Sequence, residues 1–139
     1  MTRAGYRLLS HTADVALAAW GPTIDDAFAE AVRGLVAVTF DPRTIRAAEE
    51  RTVALNGDTS TRLLVALLQE VVYLFDAEGF VPCRAKIRLK DSTLEAHLSG
   101  ERFDPTRHER VGPGVKAITY HEAKVDSGPP ARLRVILDV

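Results

Sequence analysis

The sequence predicts an α+β fold in which two helices pack on one face of a mostly antiparallel sheet, as a single domain over residues 1–139. Two segments carry apolar residues at helical spacing. Elsewhere, apolar and polar residues alternate with the two-residue period of half-buried strands. A length of 139 residues fits one domain. Because an antiparallel sheet commonly leaves one face in water, the helices are expected to cover the other face.

The first predicted helix follows two short strands. Thr23 is its candidate N-cap, and Asp25 and Asp26 place negative charge in the first turn, where the helix dipole favours it. The helix is expected to end at Asp41-Pro42, because the residue before a proline is disfavoured in helical geometry. Its apolar stripe consists of Ile24, Phe28, Ala31, Leu35 and Val38.

The second predicted helix begins near residues 58–60 and ends at Gly79, a residue suited to the left-handed C-terminal cap. Two adjacent apolar rows run along it, so most of its length should lie against the core. Asp76 and Glu78 oppose the helix dipole in its last turn by roughly 0.3–1 kcal/mol each. Each therefore needs a cationic partner, and an internal ion pair is the expected one.

A hairpin is the clearest strand signal. Polar and apolar residues alternate on both sides of Asp91-Ser92, which marks the turn. A two-residue turn places Arg88 opposite Glu95 and Lys86 opposite His97. The full set of predicted strands is 6–9, 14–20, 52–55, 83–90, 93–99, 116–125 and 132–139.

One strand of this hairpin carries a row of four basic residues, Arg84, Lys86, Arg88 and Lys90. Such a row is usually a solvated strand face, particularly with an acidic residue across from it. It is also compatible with a docking surface for an acidic partner, or with a patch that follows a chain of phosphates.

Composition excludes several classes of protein. Lysine and arginine number 18 against 19 acidic residues, a formal net charge of −1, which argues against a dedicated nucleic-acid binder. No apolar stretch reaches the ~20 residues that span a bilayer, and no secretory signal is visible, so a cytoplasmic protein without membrane association is expected. A lone Cys83 supports neither an internal disulfide nor a thiolate zinc site. Phosphate-loop, dinucleotide-binding and nucleophile-elbow motifs are absent from the sequence.

Two aspartates occupy unusual places. Asp14 opens the second predicted strand and Asp138 closes the last one, although aspartate has low β propensity and is costly to bury. If these strands are neighbours, both carboxylates and the terminal carboxylate of Val139 converge. Such an oxygen-only set suits calcium or magnesium. The alternative is that Asp14 caps a turn and Asp138 is a solvated chain end, because most aspartates lie at the surface.

His11 and His121 can each be interpreted as a structural or as a functional residue. His121 shares its strand parity with Val115, Ala117 and Ala123, which predicts that it points to the apolar side. His11 lies in the turn before Asp14. Each is either a hydrogen-bonded structural histidine or a ligand and proton carrier. Neither has a second histidine two or four residues away, so zinc is poorly supported.

The chain resembles the archease family through several signatures in order. These are Ser10-His11-Thr12-Ala13-Asp14-Val15-Ala16-Leu17 with Trp20-Gly21 and Ala27-Phe28, the helix ending Tyr73-Leu74-Phe75-Asp76-Ala77-Glu78-Gly79, Gly100-Glu101-Arg102-Phe103-Asp104-Pro105 with Arg107-His108-Glu109, Val115-Lys116-Ala117-Ile118-Thr119-Tyr120-His121, and Val135-Ile136-Leu137-Asp138-Val139. The match spans nearly the whole chain.

This resemblance implies a protein cofactor rather than an enzyme. Archeases assist the RtcB-type RNA ligase of transfer-RNA splicing and RNA repair, promoting its guanylylation and repeated turnover. The ligase is therefore the expected partner, and RNA is expected to be contacted only through it. The family's metal positions carry over onto Asp14 and Asp138, with Val139 contributing backbone or carboxylate oxygen and calcium as the expected ion. Lys116 and His121 match the family's lysine-to-histidine motif, without an assigned chemical step.

Two rival functions remain open from the residues alone. One is a metal-dependent hydrolase that uses Asp14, Asp138 and His11; it predicts turnover without a partner. The other is a small RNA-binding module built on the basic row, which predicts salt-sensitive RNA binding by the isolated protein.

Overall fold

A computed structural model describes residues 3–10 and 13–139. In chain order the elements are β1 (Gly5–Ser10), β2 (Asp14–Gly21), α1 (Ile24–Thr39), β3 (Glu49–Asn56), α2 (Ser60–Glu78), β4 (Phe80–Lys90), β5 (Thr93–Arg102), β6 (Ala117–Asp126) and β7 (Ala131–Asp138), with a single 3₁₀ turn at Pro42–Thr44. Every predicted helix and strand is present, and the α+β class is confirmed.

The strands divide between two antiparallel sheets instead of forming the single sheet expected. One sheet has the order β1-β2-β7-β6 and the other the order β3-β5-β4. Helix α1 packs against β2 of the first sheet and β4 of the second, and α2 packs against β6 and β4. The alternation in the sequence shows that each strand buries one face, but it does not specify which strands pair, and so the division was not predictable from it.

The helix boundaries follow their capping residues. The Thr23 hydroxyl accepts a hydrogen bond from the Asp26 N–H at 3.2 Å, and the Thr59 hydroxyl accepts one from the Arg62 N–H at 3.1 Å. At the end of α2, Gly79 adopts φ 69°, a left-handed conformation that glycine enters without steric penalty. The predicted ends of both helices are confirmed.

The hairpin between β4 and β5 has the predicted register. Arg88 lies opposite Glu95 and Lys86 opposite His97. The predicted ion pair at the end of α2 is also found, because Arg51 Nε lies 2.9 Å from Glu78 Oε1. Asp76 is exposed and forms no ion pair in the described part of the chain.

One hydrophobic core joins all of these layers. It takes buried residues from both helices and both sheets, among them Leu17, Phe28, Leu64, Leu98 and Leu137. Of the helices in the described residues, neither is apolar over enough of its length to cross a bilayer.

Candidate metal centre

The two strands that carry the predicted metal ligands, β2 and β7, are neighbours in the four-stranded sheet. Asp14 and Asp138 are direct partners in the antiparallel register of β2 and β7. The Val139 N–H donates to the Ala13 carbonyl at 3.3 Å, so a backbone hydrogen bond flanks the pair. In such a non-hydrogen-bonded pair the Cα atoms are about 4.5 Å apart and the side chains lie on the same face of the sheet. The main chains of Asp14 and Asp138 are thus adjacent, with both side chains on one face of the sheet.

The electrostatics of this pair are unfavourable without a cation. Like charges directly opposite each other on a sheet are destabilising. In addition, Asp14 Oδ1 is buried and has no hydrogen-bond partner among the residues that the structure describes. A buried carboxylate oxygen without a partner costs free energy that a coordinated ion would recover. The donor set therefore fits a hard divalent cation.

Three further predicted residues have different positions relative to the pair. Val139 follows Asp138 directly, so its main chain is at the site. The Lys116 N–H donates to the Asp138 carbonyl at 2.8 Å, which brings the start of β6 beside the pair, while the Lys116 side chain is exposed. His11 lies outside the described residues. Within those residues, no cluster of three or more His, Cys, Asp or Glu side chains is positioned to hold a metal.

The predicted orientation of His121 is wrong. Its side chain is exposed, and the buried residue of β6 is Ile118, which has the opposite parity. The register between β6 and β7 shifts between Thr119 and Lys124, and Glu122 has φ 62°. A bulge of this kind inserts unpaired residues and reverses the alternation, so parity counted from one end of the strand fails at the other.

A buried polar cluster lies at the end of β5 and was not assigned to any site from the sequence. His108 Nδ1 accepts the Asp104 N–H at 2.9 Å, and its Nε2 donates to Glu101, which also binds Arg107. Burial first, and then the Arg107 charge, lower the pKa of His108, with the Asp104 carboxylate partly opposing them. Glu101 and His108 are buried while Arg107 reaches the surface, and these contacts fix the segment after β5. Glu101 was missed because the alternation of β5 places it on the wet face.

Arg110, which follows this cluster in the chain, was also not assigned to any site from the sequence. The Arg110 guanidinium lies 5.4–5.6 Å from the ring centroids of Phe40, Phe75 and Phe103. These rings come from the end of α1, the end of α2 and the end of β5. Beside them is a cavity of about 240 Å³ with a mainly apolar lining, to which Asp76 also contributes. Arg110 thus joins three elements through cation–π contacts.

Comparison with known proteins agrees with this architecture. The model of the Archease protein family matches residues 6–139. The chain belongs to the archease family. A protein archease from Pyrococcus furiosus is 36% identical over 126 residues, covering 88% of each chain. A probable protein archease from Mycobacterium tuberculosis is 34% identical over 139 residues, covering 99% of this chain and 76% of the relative.

Solved archease-like structures have the same fold. The solution structure of protein 1598 from Methanobacterium thermoautotrophicum superposes with a TM-score of 0.78 at 27% identity, over 97% of this chain and 99% of that one. The crystal structure of an archease from Thermotoga maritima, described as a possible chaperone, gives a TM-score of 0.61 at 20% identity and 96% coverage of both chains. The second likeness concerns the fold alone.

Proposed function

We propose that this protein is an accessory protein that activates an RtcB-type RNA ligase, promoting its guanylylation and multiple turnover in transfer-RNA splicing or RNA repair. Membership of the archease family supports an accessory role. In this function the chain does not itself catalyse a reaction.

The observation that carries the proposal is the opposed pair of aspartates with the unpartnered Asp14 oxygen. Asp14 and Asp138 hold a divalent cation, calcium in the first instance, together with the main-chain oxygen of Val139. When bound, the ion neutralises both carboxylates. Calcium usually takes 6–8 ligands and the protein supplies three, so coordination positions remain open to an oxygen of the partner. The two strands hold the carboxylates in place, which reduces the entropic cost of binding.

A guanylylation assay tests the activity. Purified protein is added in substoichiometric amount to the ligase, and labelled guanylate on the ligase is counted. Asp14→Asn preserves the shape of the side chain but removes its charge, so it should abolish the stimulation. The control is Asp58→Asn, an exposed carboxylate paired with Arg62 on the surface, which should leave stimulation intact. Full stimulation by Asp14→Asn would refute the proposal, and turnover of RNA without ligase would favour the hydrolase.

Calorimetry tests the metal separately. Calcium titrated into the wild type and into Asp58→Asn should give the same affinity, whereas Asp14→Asn should show no binding. Thermal unfolding without calcium should differ by no more than a few degrees between Asp14→Asn and the wild type, since removal of one of two opposed charges relieves repulsion. Equal calcium affinity in all three proteins would locate the ion elsewhere.

A further inference from the structure

The three-stranded sheet exposes a basic row on β4 that the proposed ligase activation does not use. Its members are Arg84, Lys86, Arg88 and Lys90, and all four are exposed. They lie on one face of the strand at a repeat of about 6.6 Å, over a length of about 20 Å. This repeat is close to the separation of consecutive phosphates in an extended nucleic-acid strand.

The four side chains of the basic row have no direct ion-pair partner among the described residues. None of them forms an ion pair in the part of the chain that the structure describes, whereas six other arginines do. The carboxylate opposite Arg88 is that of Glu95, and it is hydrogen-bonded instead to His97 Nε2 at 2.8 Å. Glu95 therefore forms its hydrogen bond within its own strand, and its single negative charge faces a row of four positive ones.

The rest of this sheet face is polar. The residues in register with the basic row are Thr93, Glu95, His97 and Ser99 on β5 and Glu50, Thr52, Ala54 and Asn56 on β3. A protein interface normally needs aromatic or large aliphatic anchors at its centre, and this face offers a single alanine. Contacts to phosphates need no such anchors. This face carries no Phe, Tyr or Trp on which bases could stack, so recognition would be independent of sequence.

Addition of a partner strand is disfavoured at the edge of β4. Helix α1 packs along this strand, and the Leu89 N–H is already bonded to Asp25 Oδ1 at 3.2 Å. An occupant must therefore lie across the exposed face, where the basic row is.

We infer that the β4 basic row binds the phosphate backbone of a single-stranded nucleic acid. The identification of that strand as RNA rests on the proposed function, in which the ligase partner joins RNA ends. The phosphate contact itself rests on the spacing and exposure of the four side chains and on their lack of ion-pair partners in the described residues. It differs from the expectation drawn from the family resemblance, that RNA is contacted only through the ligase, and the binding experiment below decides between the two.

Binding of a short labelled oligouridylate to the isolated protein, followed by fluorescence anisotropy against salt concentration, tests this inference. Four phosphate contacts predict a slope of log affinity against log salt of about −2.8, and the double variant Arg84→Gln, Lys86→Gln should reduce it to about −1.4. The control variant Lys124→Gln, Arg134→Gln makes the same change of charge at exposed positions of the other sheet and should keep the slope of the wild type.

Three results would overturn the inference: no binding by the wild type at low salt, equal losses in both double variants, or equally strong binding of the basic row to phosphatidylserine vesicles. The thermal melts of both variants should match the wild type, because the altered side chains are exposed. Asp14→Asn should retain RNA binding in this assay, which keeps a failure of the metal site distinguishable from a failure of the basic row.

Discussion

Asp14 and His108 both carry buried polar atoms, and their hydrogen-bond partners differ. Both ring nitrogens of His108 have partners, the Asp104 N–H on one side and Glu101 on the other. One oxygen of Asp14 has none in the described residues. Since buried polar groups are nearly always paired, the fold itself accounts for the histidine, while the aspartate oxygen is the group on which the proposed metal site rests.

The environment of His108 predicts a dependence of stability on pH. Its pKa is lowered by burial and by Arg107, and the Asp104 N–H facing Nδ1 also requires the neutral ring. Below about pH 6.5 the unfolded chain takes up a proton that the native ring does not, so the free energy of unfolding decreases as the pH falls. Urea unfolding at several pH values between 7 and 5 should show this loss, and His108→Gln should show a smaller loss.

The exposed His97 provides the control, since His97→Gln should follow the pH dependence of the wild type. An NMR titration of the His108 ring checks the cause directly and does not depend on the variant folding. A native His108 that titrates at or above the ordinary value would contradict the assignment.

At the scale of elements, the local signals in the sequence were sufficient where a single residue determines the geometry. Thr23, Thr59 and Gly79 set the helix ends through hydrogen bonds and backbone conformation that depend on near neighbours. The bulge in β6 and the division into two sheets depend on pairing between distant segments, so alternation along one strand did not reveal them. The same limit explains why His121 was placed on the wrong side.

The site illustrates this limit as well. Asp14 and Asp138 could be singled out because aspartate is unusual at strand positions, and the pairing of β2 with β7 then confirmed their proximity. Glu101 carries no such signal, because a glutamate on the alternating wet face of β5 looks ordinary until the Arg107 and His108 side chains fold over it.

Arg110 gives a prediction about the junction of elements. Its guanidinium packs against rings from α1, α2 and the end of β5. A lysine keeps the charge but presents a compact, strongly hydrated ammonium in place of a planar group, so Arg110→Lys should lower the free energy of unfolding by about 0.5–1 kcal/mol. Urea unfolding measures this loss. Arg33→Lys, which alters only an ion pair with Glu30 on α1, should change the stability by less than about 0.5 kcal/mol; an equal loss in both variants would contradict the role of the rings.

At the scale of the whole molecule, the shared core predicts that the two sheets unfold together, as expected of a single domain. Leu98 on β5 is fully buried in the same cluster as Leu17 and Leu137 of the other sheet. Leu98→Ala should therefore lower the stability of the whole chain by about 2–5 kcal/mol.

Trp20, the only tryptophan, lies on β2 and reports on the sheet that does not contain the substitution. Unfolding in urea is followed by Trp20 fluorescence and by far-ultraviolet circular dichroism. The substitution should lower the urea midpoint of both transitions by the same amount, and the two curves should remain coincident, since cooperative unfolding has no populated intermediate. A transition of Trp20 that stays at the wild-type midpoint while the circular dichroism shifts would show that the sheets unfold as separate units.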